Sequence, residues 1–308
     1  MPIKPEALKE GDLIGIIAPA SPPNQQNLMN SLDFLEKDLK LQIKWGSSID
    51  HKYGYLAGKD EERAKDLNEM FADDRVKAII CACGGYGTSR MAEFIDYDMI
   101  RKKPKIFWGY SDITFLHTAI RQSSGLVTFH GPMLASDIGS EDIHPLSKKG
   151  FNQLFHNRGL EYTEALSPLT TLNDGIAEGE LTGGNLCLLA TSLGTPYEID
   201  TKGKILLIED IHEEPRNIDR YLSQLYLAGK LNDAEGLVIG DFAESEPKRT
   251  ESLKLEEVLE HYVQLCGKPA VSGFMIGHCN PHVAVPLGTQ VKLNASNKNL
   301  MLESGIHI

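Results

Sequence analysis

The chain has 308 residues, with 31 Lys and Arg against 43 Asp and Glu, so its formal charge is −12 at pH 7. Its 41% hydrophobic and 24% charged residues are the composition of a folded globular protein, which excludes general disorder. The acidic balance argues against nucleic acid as a partner, because wrapping phosphates needs a basic face; a local cationic pocket stays compatible with it.

In chain order, residues 12–18 read as a buried strand halted by Pro19, Ser21, Pro22 and Pro23. Residues 24–40 place Leu28, Leu32, Leu35 and Leu39 at helical spacing, and residues 60–72 repeat the pattern. A strand over 76–82 runs into Gly84-Gly85-Tyr86-Gly87. A strand over 105–110 is then followed by a helix over 112–121. Strands alternating with helices predict an α/β fold with a mainly parallel, doubly wound sheet. The polar stretch from Ser136 to Asp142, with Ser167-Pro168 beyond it, marks a domain boundary, and a connecting helix is predicted over 146–156. The domains are expected to be residues 1–150 and 151–308, the second of mixed α/β character and strand-rich. Its predicted strands are 176–181, 204–209, 236–240, 271–274, 283–286 and 291–293. Its predicted helices are 185–193, 218–228 and 255–266.

No membrane role is expected. The apolar stretch 14–20 is interrupted by Gly15 and Pro19 and is too short to span a bilayer. Glu6, Glu10 and Asp12 stand where a signal peptide needs a basic start and an apolar run. Five cysteines without a regular framework read as reduced thiols, which points to the cytoplasm.

Ser111 follows an apolar strand and Gly109, at the point where the chain turns toward a helix. That is the setting of a nucleophile elbow, though Ile113 replaces the last glycine of the usual pattern. A helix N-cap is the competing reading for this serine. Gly84-Gly85-Tyr86-Gly87 is either a tight turn needing positive φ or a cradle of backbone N–H groups for an anion. It matches no nucleotide-binding pattern, and no cofactor is invoked.

A nucleophilic serine needs a base, and the base an orienting carboxylate. Glu209 and His278 close two predicted strands in the second half, although a solvated glutamate and a hydrogen-bonded loop histidine are the bland alternatives. No metal is expected. Cys81 sits inside an apolar strand, and Pro281 opposes the helix that would align His278 with His282.

Together these motifs resemble the LD-carboxypeptidase family of serine peptidases, which includes murein tetrapeptide carboxypeptidases and microcin C immunity peptidases. The resemblance runs from Gly11-Asp12 and Ala18-Pro19-Ala20-Ser21 through Gly84–Gly87, Gly109-Tyr110-Ser111-Asp112 and His130-Gly131-Pro132-Met133. It continues through Leu181-Thr182-Gly183-Gly184-Asn185-Leu186, Glu209-Asp210 and Ile218-Asp219-Arg220 to Gly277-His278. It implies a Rossmann-like N-terminal domain and a triad, assembled across the domain interface, of Ser111 as nucleophile, His278 as base and Glu209 as its partner. It further implies an oxyanion hole from the N–H groups of Gly85 and Asp112, substrate contacts from Gly84 and Tyr86, a murein peptide substrate cut before its terminal D-Ala, and a homodimer. The family commonly has Arg before Gly-Gly-Tyr-Gly, where this chain has Cys83. Arg90 is the candidate for a substrate carboxylate, with a surface ion pair as its alternative. Two other functions stay open. One is microcin-type immunity, which needs an aromatic platform when only Trp45 and Trp108 are present, and the other is a silent small-anion binder.

Overall fold

The structure is a computed structural model that describes residues 2–308. The chain forms two compact units, one of residues up to Arg158 with Val283–Gly288 and Ser304–Ile308, the other of Gly159–His282 with Thr289–Glu303. Each is an α/β unit built on one sheet.

The strands are numbered along the chain. The first sheet holds β1 (Leu13–Ile17), β2 (Gln42–Trp45), β3 (Val76–Cys81), β4 (Ile106–Gly109), β5 (Thr128–His130) and β12 (Val285–Leu287), in the spatial order β12-β5-β4-β3-β1-β2. All neighbours are parallel except β12, which runs antiparallel to β5. Strands β1, β3 and β4 are almost wholly buried, as expected of a sheet covered on both faces. Trp108 on β4 is fully buried, packs 4.2 Å from Phe151 between ring centroids, and donates its indole N–H to the Pro132 carbonyl. It is therefore a core residue.

From β1 the chain moves to β2 on one side and then to β3 on the other. The carboxyl ends of β1 and β3 thus flank the topological switch point, where open α/β sheets place their ligands. Beyond these ends lie Pro19–Ser21 and the Gly84–Gly87 turn.

The second sheet holds β6 (Leu160–Tyr162), β7 (Thr170–Asn173), β8 (Ile176–Asn185), β9 (Lys204–Ile211), β10 (Gly236–Ala243), β11 (Ala270–Ser272), β13 (Gln290–Asn294) and β14 (Asn299–Leu302). Its order is β6-β14-β13-β8-β9-β10-β11-β7, with a parallel centre, β8 to β11, and antiparallel flanks. Helices Leu186–Thr191, Pro215–Leu227 and Leu255–Cys266 supply Leu189, Leu222, Leu225 and Val263 to a core closed by Leu206, Ile208 and Leu237 of the sheet.

Helices 60–72 and 255–266 end where the sequence places them. The predicted helix 24–40 does not run through. An α-helix covers Gln25–Asn30, the Ser31 hydroxyl donates back to the Leu28 carbonyl, and a wider turn resumes at Phe34–Asp38. The strand predicted over 176–181 continues to Asn185. A Cβ at Gly183 would lie 1.9 Å from the Leu207 carbonyl oxygen, so two glycines let β8 pass tightly along β9. The connecting helix is one short turn, Pro145–Lys149, followed by a 3₁₀ segment, Gly150–Leu154.

Candidate active site

Strand β4 ends at Gly109, and two residues later Ser111 has φ 63°. An L-residue in this left-handed region is strained by about 1–2 kcal/mol. An N-cap has extended geometry instead. Here the extended residue before the 3₁₀ turn is Tyr110, so Ser111 does not have the geometry of a cap. A Cβ at Gly84 would sit 2.9 Å from Ser111 Cβ and 3.1 Å from its Oγ. The glycine turn and the serine therefore touch only because residue 84 has no side chain.

The rest of the turn is fastened at several points. Ser21 donates its N–H to the Gly84 carbonyl at 3.2 Å and accepts the Tyr86 N–H on Oγ at 3.3 Å. A Cβ at Gly85 (φ 116°) would lie 2.2 Å from Ser21 Oγ, which restricts the position to glycine. The Cys83 thiol is buried, its pKa is pushed up to about 12 chiefly by desolvation, and it contacts the Ser21 carbonyl at 3.1 Å. In this chain, then, position 83 helps hold the strand end that carries Ser21. Asp112 Oδ2 accepts the Thr88 N–H at 2.9 Å, and the Thr88 hydroxyl donates to the Asp112 carbonyl at 2.7 Å. Burial raises the Asp112 carboxyl, while the Thr88 and Gly87 N–H groups and the Arg63 charge oppose that rise.

Tyr86 is exposed, and its ring meets exposed Tyr55 edge-on at 5.4 Å. Arg90 is bound by Asp60 through Nε at 3.0 Å and Nη2 at 2.9 Å, with its side chain 42% exposed. The ion pair given as the alternative for Arg90 is thus present.

In the second unit Glu209 lies near the carboxyl end of β9 and is fully buried. Its Oε2 is 2.7 Å from His278 Nδ1, so the carboxylate accepts the Nδ1–H and leaves Nε2 as the basic nitrogen of the neutral ring. Two glycines permit this approach. A Cβ at Gly277 (φ 120°) would stand 2.6 Å from Glu209 Oε2, and one at Gly240 would be 2.3 Å from the Ile276 carbonyl oxygen.

Strand alternation sends the next side chain, Asp210, to the opposite face. There it accepts Asn185 Nδ2–H at 2.8 Å, the Cys187 N–H at 2.9 Å and the Ile211 N–H at 2.9 Å. Asp210 therefore anchors the helix after β8 and is not part of the His278 pair. Burial, then the Glu209 charge, pushes its carboxyl up to about 7. A folded-state value raised from 3.8 favours the protonated native form. Its stabilising contribution is complete below about pH 4 and is lost as pH rises through about 7. The stability advantage of wild type over Asp210→Asn should therefore shrink from pH 4 to 7 and then level off. Urea unfolding at stepped pH measures it, and a difference that is flat across this window would contradict the assignment.

Asp60, Arg63 and the carboxylate of Asp112 were not singled out from sequence; the i, i+3 spacing of Asp60 and Arg63 on one helix is the available signal. Asp241 is a further such residue: its carboxyl is raised by burial and by the Glu209 charge, against the influence of His278.

The LD-carboxypeptidase N-terminal domain profile matches residues 14–131, and the C-terminal domain profile matches residues 178–293. The chain belongs to the LD-carboxypeptidase family. It is a serine-type carboxypeptidase. Among its relatives, a Bacillus subtilis (strain 168) protein named "Probable murein peptide carboxypeptidase" is 58% identical over 304 residues, covering 98% of this chain and 95% of that one. The structure of muramoyltetrapeptide carboxypeptidase from Oxalobacter formigenes superposes with a TM-score of 0.84 at 29% identity, covering 94% of this chain and 97% of that one. That of the self-immunity protein MccF in complex with glutamyl sulfamoyl guanosine gives 0.88 at 25% identity, covering 98% of both chains. Among the described residues of this carboxypeptidase, no helix is long and apolar enough to cross a membrane.

Proposed function

We propose that the chain hydrolyses the amide between the L-configured diamino acid and the terminal D-Ala of murein tetrapeptides, by Ser-His-Glu acyl-enzyme chemistry. His278 Nε2 takes the Ser111 hydroxyl proton, and Oγ attacks the carbonyl carbon. The oxyanion is held by the Gly85 and Asp112 N–H groups. The C–N bond then breaks, the proton passes from His278 to the leaving D-Ala amine, and water repeats the cycle on the ester. The observation that carries the mechanism is Ser111 held in the left-handed region at the end of β4 and against Gly84, the setting of a nucleophile on a strained strand-to-helix turn. The names of the B. subtilis and O. formigenes relatives support the substrate class. The proposal includes a cytoplasmic location and a homodimer, the latter checked by light scattering on the purified protein.

A second reading, cleavage of an aminoacyl-nucleotide conjugate, gains from the exposed Tyr55–Tyr86 pair. It supplies an aromatic surface that buried Trp108 does not. One experiment separates the two. The protein is incubated with L-Lys and diaminopimelate tetrapeptides, a control ending in L-Ala, and an acyl-sulfamoyl nucleoside, and products are weighed by mass spectrometry. D-Ala release with the L-Ala control and the nucleoside intact is the expected result. Cleavage of the nucleoside alone would replace the murein assignment.

A further inference from the structure

We propose that Arg63 is the positioning residue of the glycine turn, its buried guanidinium setting the register in which the turn presents the Gly85 N–H beside Ser111. The proposal rests on the acyl-enzyme reading above. Arg63 comes from helix Asp60–Ala72, and its side chain has no exposure to solvent. Burying a guanidinium is costly unless its donors are met; among the described residues Nε has no hydrogen-bond partner, and the two terminal nitrogens carry the contacts. Here Nη1 donates to the carbonyls of both Pro19 and Gly87, the latter at 3.0 Å, and Nη2 donates to Asp60 Oδ1 at 2.5 Å. One side chain thereby ties the carboxyl end of β1 to the last residue of the turn that follows β3. These are the two strand ends that flank the switch point.

The turn leaves little slack around this tie. Gly87 has φ 107°, and a Cβ there would lie 2.4 Å from Leu56 Cδ2 and 3.4 Å from Arg63 Nη1. The next residue, Thr88, is bonded to Asp112, the neighbour of Ser111. Arg63 and Asp112 therefore hold successive residues of one segment, from the β1 end and from the Ser111 elbow. Their opposite charges also stabilise each other. Asp60 is shared with Arg90, so two cations and two carboxylates balance in one network. Arg suits the position because its planar fork donates in two fixed directions, whereas Lys offers a single point of charge.

An oxyanion hole loses about 10²–10³ in rate when one donor is removed, and a displaced turn has the same effect as a missing donor. A residue that merely staples the fold would instead lower stability and leave the rate of the folded protein unchanged. Arg63→Lys and Arg63→Gln are compared with wild type in three measurements: kcat and KM for D-Ala release, thermal midpoint, and the rate of Ser111 labelling by an alkyl fluorophosphonate. Labelling needs the serine and the oxyanion hole but no murein peptide. The expected result is a fall of about 30–300-fold in kcat and in labelling rate, with KM changed less than about threefold. Wild-type rates in folded Arg63→Lys, or a loss confined to KM, would overturn the proposal. If neither variant folds, Asp60→Asn decides. It removes the carboxylate that orients the guanidinium and with it the Arg90 ion pair, so the labelling rate, which involves no substrate carboxylate, is the readout; it should fall about tenfold, and an unchanged labelling rate overturns the proposal. Wild type that takes the label without releasing D-Ala refutes the murein assignment, while the Arg63 variants are still judged by labelling. Wild type that does neither removes the serine chemistry and the proposal with it.

Discussion

Ser111→Ala should lower D-Ala release by about 10⁵-fold or more, as expected when the nucleophile of a serine triad is removed. The fold should survive, because alanine keeps the Cβ and with it the same left-handed strain at φ 63°. Ser111→Gly sharpens the test. Glycine relieves about 1–2 kcal/mol of left-handed strain and gives back about 0.5–1 kcal/mol in backbone entropy. The glycine variant should therefore be inactive yet at least as stable as wild type, with a thermal midpoint raised by roughly 0–4 °C. Steady-state kinetics and calorimetry measure the two quantities. An alanine variant that turns over at the wild-type rate would refute the nucleophile. A glycine variant that melts well below wild type would show that the Ser111 conformation stores no strain.

Glu209→Gln should cost about 10⁴-fold in kcat, the loss seen when the triad carboxylate becomes an amide. Glu209 is fully buried and accepts from His278 Nδ1 at 2.7 Å. An amide nitrogen placed there would donate instead, favouring the tautomer with its proton on Nε2 and leaving no base for the serine. The side-chain shape is kept, so the defect should appear in kcat with KM little changed. The double variant Ser111→Ala/Glu209→Gln should be no slower than Ser111→Ala alone, because residues acting as one unit are not additive. Multiplying losses in the double variant would mean that Glu209 acts independently of the serine.

Helices 60–72 and 255–266 were legible because their boundaries are made within a few residues. Glu62 accepts the Lys59 N–H, Glu257 accepts the Lys254 N–H, and Gly267 (φ 62°) ends the second helix. Strands β1, β3, β4, β9 and β10 were legible because burial on both faces requires an unbroken apolar run. Strands β2, β5, β6, β7 and β14 were not legible. Each has three or four residues, too few to show a pattern of its own; β14 forms a hairpin with β13, and the others pair only with strands further away in sequence. Strand β12 was foreseen as a strand but not as the antiparallel edge of the first sheet, since no local pattern selects β5 as its partner.

The acidic charge and the length with which the sequence opens bounded the class of protein without naming a reaction. The motifs then supplied its chemistry: a serine after a strand, a glycine turn, and a glutamate and a histidine at strand ends. All of these are local features, written in neighbouring residues. The tertiary structure alone decided which groups meet. The loop after β11 brought His278 to Glu209, and strand alternation turned Asp210 toward a helix N-terminus, although the two carboxylates are adjacent in the chain. Packing buried Arg63 between two strand ends and brought Gly84 against Ser111. The physical reason is one of range. Backbone torsions and caps act over a few residues, whereas these contacts join residues 23 to 69 positions apart, and only the assembled sheets hold them together.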